Sequence, residues 1–342
     1  MVIRVFVFLL FVLSVGSYFI PLEENPNDKK DKDSPLLIFV DSTMYTLDTE
    51  SMNRIIFAKK AIRYEDRDVM YDGSLMSKSM DKNNKEIADN LLADLIIKRG
   101  DDFKFLNDVK FTRNDYLSLN TDELLYNAKT KIATNTLPFD GTYFDNSLKG
   151  EHIYLDLNKY YMKALNTHFE IEIEKKENNN MKFLFAILAL TSMLFAATEK
   201  LIIDSSHFET NDATGLTVFT GNVKLRKSLD KLNSQKLEIF MPPKSKGKAK
   251  EPLKYVATGK VDFEIHSNGK IYKGKGDKVI YNPKKQEYTV IGNGYIKEEV
   301  EQRELMGEKI FINQLSGNAR VVGKEDKPVR FIINIESGSK KE

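Results

Sequence analysis

The chain has 342 residues, with 52 Lys and Arg against 50 Asp and Glu, a formal net charge of +2. That length predicts about two domains, and the balanced charge argues against a strongly basic nucleic-acid binder. A hydrophobic content of 41% beside 30% charged residues argues against wholesale disorder, and the absence of cysteine excludes disulfides, thiol catalysis and cysteine-ligated metals.

The near-neutral total averages two unlike halves. Residues 1–180 carry 24 basic and 30 acidic side chains, net −6, whereas residues 181–342 carry 28 and 20, net +8. Fifteen Tyr and 21 Phe with no Trp favour strands over helices.

In chain order, the first feature is the apolar run Val5–Ile20, preceded by Arg4 and closed by Pro21. With Met1–Ile3 it is long enough to cross a ~30 Å hydrocarbon core, which predicts a membrane anchor over 1–20. A cleaved signal peptide is the alternative reading. Arg4 on one side and Glu23 and Glu24 on the other place the N-terminus in the cytoplasm, giving a single-pass membrane protein. Residues 21–35 form a polar tether. From 36 to 175 the chain reads as short strands, with alternation clear in Tyr116–Asn120 (YLSLN). Glu86–Lys98 (EIADNLLADLIIK) fits either a short helix or a strand beginning near Leu91.

A second apolar run follows the polar segment Glu174–Asn180. Met181, Lys182, the stretch Phe183–Ala197 and its final Ala-Ala are the parts of a secretory signal peptide, so 181–197 reads as an internal signal-like segment. If both runs spanned the membrane uncleaved, residues from Thr198 onward would return to the cytoplasm. The chain therefore reads as two adjacent exported proteins joined end to end, the second occupying 198–337. Strand alternation resumes there, as in Val261–Ile265 (VDFEI).

The two halves share motifs. Thr121–Lys129 (TDELLYNAK) matches Gly276–Lys284 (GDKVIYNPK) at Asp, Tyr, Asn and Lys, with SQKLEIF at 234–240 as a looser copy. Gly150–Tyr154 (GEHIY) matches Gly307–Phe311 (GEKIF). A second motif, strand then turn then strand, recurs as LNDVKF at 106–111, VFTGNV at 218–223, VATGKV at 256–261 and VIGNGYI at 290–296. Its Gly-Asn and Asn-Asp pairs suit positive φ, where a strand folds back or bends. A unit repeated in this way cannot bury its apolar face alone, so neighbouring units must stack.

On these motifs the sequence resembles two lipopolysaccharide-transport families. Leu201–Val223, followed by GKVDF, GDKVIY, GNGYI and GEKI, is similar to the LptA (OstA-like) family. The first half, with its anchor, LNTDELLYNAKT, LPFDGTYF and HFEIEI, resembles the membrane-anchored LptC family. The resemblance implies an all-β chain of two open, V-shaped antiparallel jelly rolls (β-tacos) behind the anchor. It implies lipopolysaccharide or lipooligosaccharide binding in a Gram-negative periplasm, with no enzymatic activity and no cofactor. The implied partners are an inner-membrane ATP-driven ABC transporter, further LptA-like domains and an outer-membrane translocon, joined through sheet edges. The chain has no ATP-binding motif of its own.

By motif match, the groove or exit contacts are Phe57, Tyr71, Phe105, Phe111, Leu119, Tyr126 and Phe169 in the first half. In the second half they are Leu201, Ile203, Phe219, Phe263, Tyr281 and Ile312. Each has the same sequence signature as an ordinary core residue of a β-sandwich. Other features carry less. Gly269–Gly276 (GKIYKGKG) lacks the Ser or Thr of a phosphate loop and reads as strand and turn. His152, His168, His207 and His266 lack metal-ligand spacing and read as surface or strand-partner residues. Pro242–Lys250 reads as a solvated hairpin loop, with lipid phosphate as a second reading. Two further functional readings stay open: a structural β-repeat protein, and a glycan-modifying enzyme using a carboxylate pair such as Asp204 and Asp262.

Overall fold

The computed structural model describes residues 33–47, 52–80, 86–114, 116–144, 146–173, 199–242, 252–267, 269–313, 316 and 318–333. The expected anchor at 1–20, the tether to residue 32, the signal-like segment 181–197 and residues 243–250 of the lysine-rich loop lie outside the described residues. Among the described residues no helix is long and apolar enough to cross a membrane.

The first half contributes β1 (Leu37–Leu47), β2 (Met52–Arg63), β3 (Asp68–Met80), β4 (Glu86–Arg99) and β5 (Asp102–Arg113). Then come β6 (Leu117–Asn127), β7 (Ile132–Thr134), β8 (Pro138–Tyr143), β9 (Asn146–Asp156) and β10 (Tyr161–Ile173). The second half contributes β11 (Glu199–Asn211), β12 (Leu216–Lys227), β13 (Asp230–Phe240), β14 (Lys254–Ser267) and β15 (Lys270–Asn282). It ends with β16 (Glu287–Glu298), β17 (Arg303–Asn313), β18 (Ala319–Val322) and β19 (Arg330–Ile332). The nineteen strands among the described residues form one sheet. Each pairs antiparallel with its chain neighbour from β1 to β6 and from β8 to β17, as the all-β expectation required. The ambiguous Glu86–Lys98 segment is strand, and its phosphate-loop-like counterpart at 270–282 is strand also.

Most strands are bent near the middle, and the bends line up across the sheet. Register shifts fall between Leu106 and Val109, Asp204 and His207, Thr220 and Val223, Thr258 and Val261, and Ile291 and Gly294. The backbone there turns through positive φ at Asn107, Gly221, Asn222, Gly259, Lys260, Gly292 and Asn293. Asn and Gly tolerate that region best, which is why the recurring LND, TGN, TGK and IGN sequences stand at these places. The motif expected to be strand, turn, strand is therefore one continuous strand with a crease. The bulge keeps the chain in the sheet while redirecting it.

The crease folds the sheet into two leaves. Leaf A holds the strand halves that contain Leu119, Phe169 and Ile203, and leaf B those that contain Leu124, Phe208 and Phe219. Phe169 lies opposite Ile203, five residues before Phe208 on β11, a span of roughly 16 Å along a flat strand. The Phe169 and Phe208 ring centroids are nevertheless 5.9 Å apart, so the leaves face each other. Two strand positions are interrupted at the crease. β7 belongs to leaf B and β8 to leaf A, and Asn135 fills the gap between them. Its Nδ2 donates to Thr121 Oγ1 (3.0 Å) and Leu137 O (2.8 Å), and its Oδ1 accepts from Ile153 N (2.8 Å). β18 and β19 likewise divide one position beside β17.

The shared Asn of the YNAK and YNPK motifs closes turns at the far ends. Asn127 Oδ1 accepts from Lys129 N and Thr130 N, and Asn282 Oδ1 accepts from Lys285 N. Such Asx turns fix where a strand stops and its neighbour begins. The halves meet where β10 and β11 pair from Tyr161–Asn211 to Ile173–Glu199. The sheet thus runs unbroken from one half into the other.

Candidate functional site

The inner face of the creased sheet carries rows of apolar side chains that run from strand to strand. In leaf A, Ile56, Leu75, Leu91, Phe111 and Leu119 stand opposite one another on β2 to β6. The row continues through Leu148, Phe169, Ile203, Leu225, Leu232 and Phe263 on β9 to β14, crossing the seam. In leaf B of the second half, Phe208, Phe219, Leu237, Ala257, Val279, Val290 and Ile310 form an equivalent row. All but Leu225 and Leu232, which are partly covered, are buried. Strand alternation produces the rows, because antiparallel partners directly opposite each other share a face.

Nearer the open ends of leaf B runs a mixed row: Tyr126, Ala133, Leu155, Met162, Thr210, Thr217, Ile239, Tyr255, Tyr281, Tyr288 and Ile312. Thr210 and Thr217 pair through their hydroxyls at 2.9 Å. The Tyr281 and Tyr288 rings stack at 4.4 Å, with Tyr255 6.1 Å from Tyr281. Burial pushes the Tyr126 hydroxyl up to about 12, with Asp89 adding to the effect, and burial raises Tyr281 and Tyr288 also. These phenols stay neutral at physiological pH, so the row adds hydroxyls to the interior without charge.

Among the described residues, one buried ion pair breaks the apolar character. The Arg113 and Asp89 side chains are 2% and 3% exposed and meet through two hydrogen bonds, at 2.6 and 3.0 Å. Arg113 also donates to Leu157 O across the mouth between the leaves at 2.8 Å. Arg113 lines a small cavity with Tyr116, Tyr143, Met162, Thr210 and Asp212.

The outer face at the seam is charged. His168 Nδ1 lies 2.6 Å from Asp204 Oδ1 and its Nε2 3.0 Å from Glu170. Lys200 pairs with Glu170 at 2.9 Å and Arg226 with Asp204 at 2.5 Å. The hydrogen bonds to Glu170 and Asp204 raise the His168 imidazole above its ordinary value. Those from His168 and Lys200 bring Glu170 down to about 2.

Among the residues expected to contact a ligand, Phe111, Leu119, Phe169, Ile203 and Phe263 share the leaf A row, and Leu201 lies beyond it opposite Ile171. Phe105 and Phe219 face inward in leaf B, and Tyr126, Tyr281 and Ile312 stand on its mixed row. Phe57 and Tyr71 are 40% and 42% exposed. Phe57 alternates with buried Ile56 and Ala58, and Tyr71 lies opposite Lys60, so neither joins the interior rows. Phe208, within the LptA-like segment, is a further buried inner residue, and it stands opposite Phe219, a pairing that only the folded sheet reveals. Asp89 and Arg113 left no signal, being 24 residues apart without a motif.

The carboxylates Asp204 and Asp262 stand on strands separated by β12 and β13, roughly 14 Å apart at ordinary strand spacing. Each is already engaged, by His168 and Arg226 and by Asn233. Glycosidase pairs stand about 5–9.5 Å apart, so this pair does not have that geometry.

Comparison with known proteins finds one family over part of the second half. Residues 202–318 match the family described as LptA/(LptD N-terminal domain) LPS transport protein. Among solved structures, the chain is similar to LptH from Pseudomonas aeruginosa, titled the LptA homologous periplasmic component of that organism's lipopolysaccharide transport device. The likeness has 14% identity and a TM-score of 0.35, over 40% of this chain and 95% of LptH. No curated protein matches. The family match falls on β11 to β17 and the inner rows they carry, so residues 202–318 are similar to the LptA/LptD N-terminal domain family.

Proposed function

We propose that the chain carries lipopolysaccharide or lipooligosaccharide across the periplasm, holding its acyl chains between the two leaves. The observation that carries this is the apolar leaf A row, which continues from Ile56 through the seam to Phe263, into a domain of the LptA-like family, with Gly141 on β8 its single position lacking a side chain. Exposing each acyl CH₂ to water costs about 0.8 kcal/mol, so chains cross an aqueous gap only where apolar side chains replace their lipid surroundings. The neutral phenols near the open ends suit the boundary between acyl chains and a sugar headgroup.

On this reading residues 36–175 are an LptC-like receiving half and 198–337 a carrying half. The N-terminal run holds the chain in the inner membrane beside an ATP-driven extractor. Among the described residues no strand pairs beyond β1 or beyond β18 and β19, edges that suit strand addition to neighbouring jelly rolls and an outer-membrane translocon. Leu37, Ile38, Phe39 and Val40 on β1, and Phe331 and Ile332 on β19, are exposed apolar residues at those edges.

Benzophenone photocrosslinkers at Phe263 and Tyr281 test the proposal in cells, with the exposed positions Lys224 and Lys231 as controls. Capture of lipopolysaccharide at the first pair and not the second is expected. Equal yields at all four positions would leave a structural β-repeat protein whose inner face is only a core.

A further inference from the structure

Aromatic rings of the interior mostly touch within one leaf. Phe103, Phe105 and Tyr126 cluster in leaf B of the first half, and Tyr255, Tyr281 and Tyr288 in leaf B of the second. Those contacts survive if the leaves part. The cluster at the seam differs. Phe169 of leaf A touches Phe208 and Phe219 of leaf B at ring centroid distances of 5.9 and 6.1 Å, and the latter two are 5.2 Å apart. All three rings are buried, and Phe169 and Phe208 come from β10 and β11, the strands that join the halves.

A second tie lies at the mouth above them. The Tyr143 hydroxyl, at the leaf A end of β8, donates to the Asp212 carboxylate just past the leaf B end of β11, and lies 3.4 Å from Thr210 Oγ1. Like the ring cluster, this contact joins opposite leaves and opposite halves. The leaves therefore cannot separate at the seam without losing both an aromatic contact and a hydrogen bond to a carboxylate.

We propose that the seam is a gate: Phe169, Phe208 and Phe219 block the space between the leaves, and the Tyr143–Asp212 tie holds it shut. An acyl chain then passes from the first half to the second only when the rings swing aside. Each half is a separate compartment until that happens. This inference rests on the transport reading, since without a lipid the same rings are simply core.

The experiment uses the full chain incubated with purified rough lipopolysaccharide, carrying a benzophenone amino acid at one of three positions. Tyr126 reports on the first half, Tyr281 on the second, and Leu225, beside Ile203 in the leaf A row, on the seam. Capture at Tyr126 and Tyr281 with little at Leu225 is expected. Phe208→Ala should raise capture at Leu225 at least about fivefold, equivalent to about 1 kcal/mol. Phe105→Ala, which removes a ring from a single-leaf cluster, should not. Phe208→Leu and Tyr143→Phe, gentler changes, should each raise it in the same direction with the protein folded by circular dichroism. Equal capture at all three positions in the unsubstituted chain would overturn the gate. So would an unchanged yield at Leu225 in the folded Phe208 and Tyr143 variants, or an equal rise with Phe105→Ala. In those cases capture at Tyr126 and Tyr281 leaves the transport reading standing, whereas capture at neither removes the reading and the gate together.

Discussion

Arg113→Met isolates the one fully buried charge pair among the described residues. Methionine keeps most of the arginine stem but leaves the Asp89 carboxylate, 3% exposed, without the two hydrogen bonds it accepts at 2.6 and 3.0 Å. Removing one partner of a buried pair costs about 3–5 kcal/mol, because the remaining charge is neither solvated nor paired. The carbonyl of Leu157 also loses its donor, which adds about 1 kcal/mol. At 2–4 °C per kcal/mol for domains of this size, the unfolding midpoint should fall by at least about 6 °C. The double variant Asp89→Leu, Arg113→Met removes both charges and should recover to within about 1–2 kcal/mol of the parent. Urea and thermal unfolding of the three proteins, followed by circular dichroism, give the comparison. A single variant that loses under about 1 kcal/mol, or a double variant no better than the single, would refute the argument that desolvated charge dominates here.

Two other outcomes follow from local geometry. His168 titrates between Glu170, Asp204, Lys149, Lys200 and Arg226 at the seam, and its pKa is raised by its hydrogen bonds to Glu170 and Asp204. Its contribution is therefore complete below the ordinary histidine value of about 6.5 and is lost as pH rises through the higher folded value. Urea midpoints should decline from pH 6 to pH 8.5, and His168→Gln should flatten that decline; an unchanged slope would discount the imidazole. At the crease, Gly221 has φ of 79°, and a Cβ there would stand 2.9 Å from Ser206 Cβ. Gly221→Ala should cost about 1–2 kcal/mol from backbone conformation alone, and Gly100→Ala, at φ 59° with open space around it, should cost no more than that. A larger loss at Gly100 in denaturant titrations would contradict the account.

Alternation along the chain determined that Leu119, Phe111, Phe263 and Ile203 would share faces with their neighbours, because a strand places every second side chain on one side. The recurring Gly-Asn and Asn-Asp pairs determined where strands would leave the ordinary β region, since few other residues enter positive φ at low cost. Both signals are local, so both could be read before any strand was paired. Phe57 and Tyr71 show the limit: they have the composition of groove residues, but the pairing of β2 with β3 set them outward beside buried Ile56, Ala58 and Met70. The tertiary structure alone brought Asp89 to Arg113 and Phe169 to Phe208 and Phe219. Those contacts depend on how far a creased sheet closes on itself, a sum over many strands that no single segment encodes. The same closure decides what the near-neutral total could not show. Across the seam between the net −6 and net +8 halves, Lys200 pairs with Glu170 as that asymmetry would favour, whereas His168 with Asp204 runs the other way, so the contacts there follow strand pairing and not net charge.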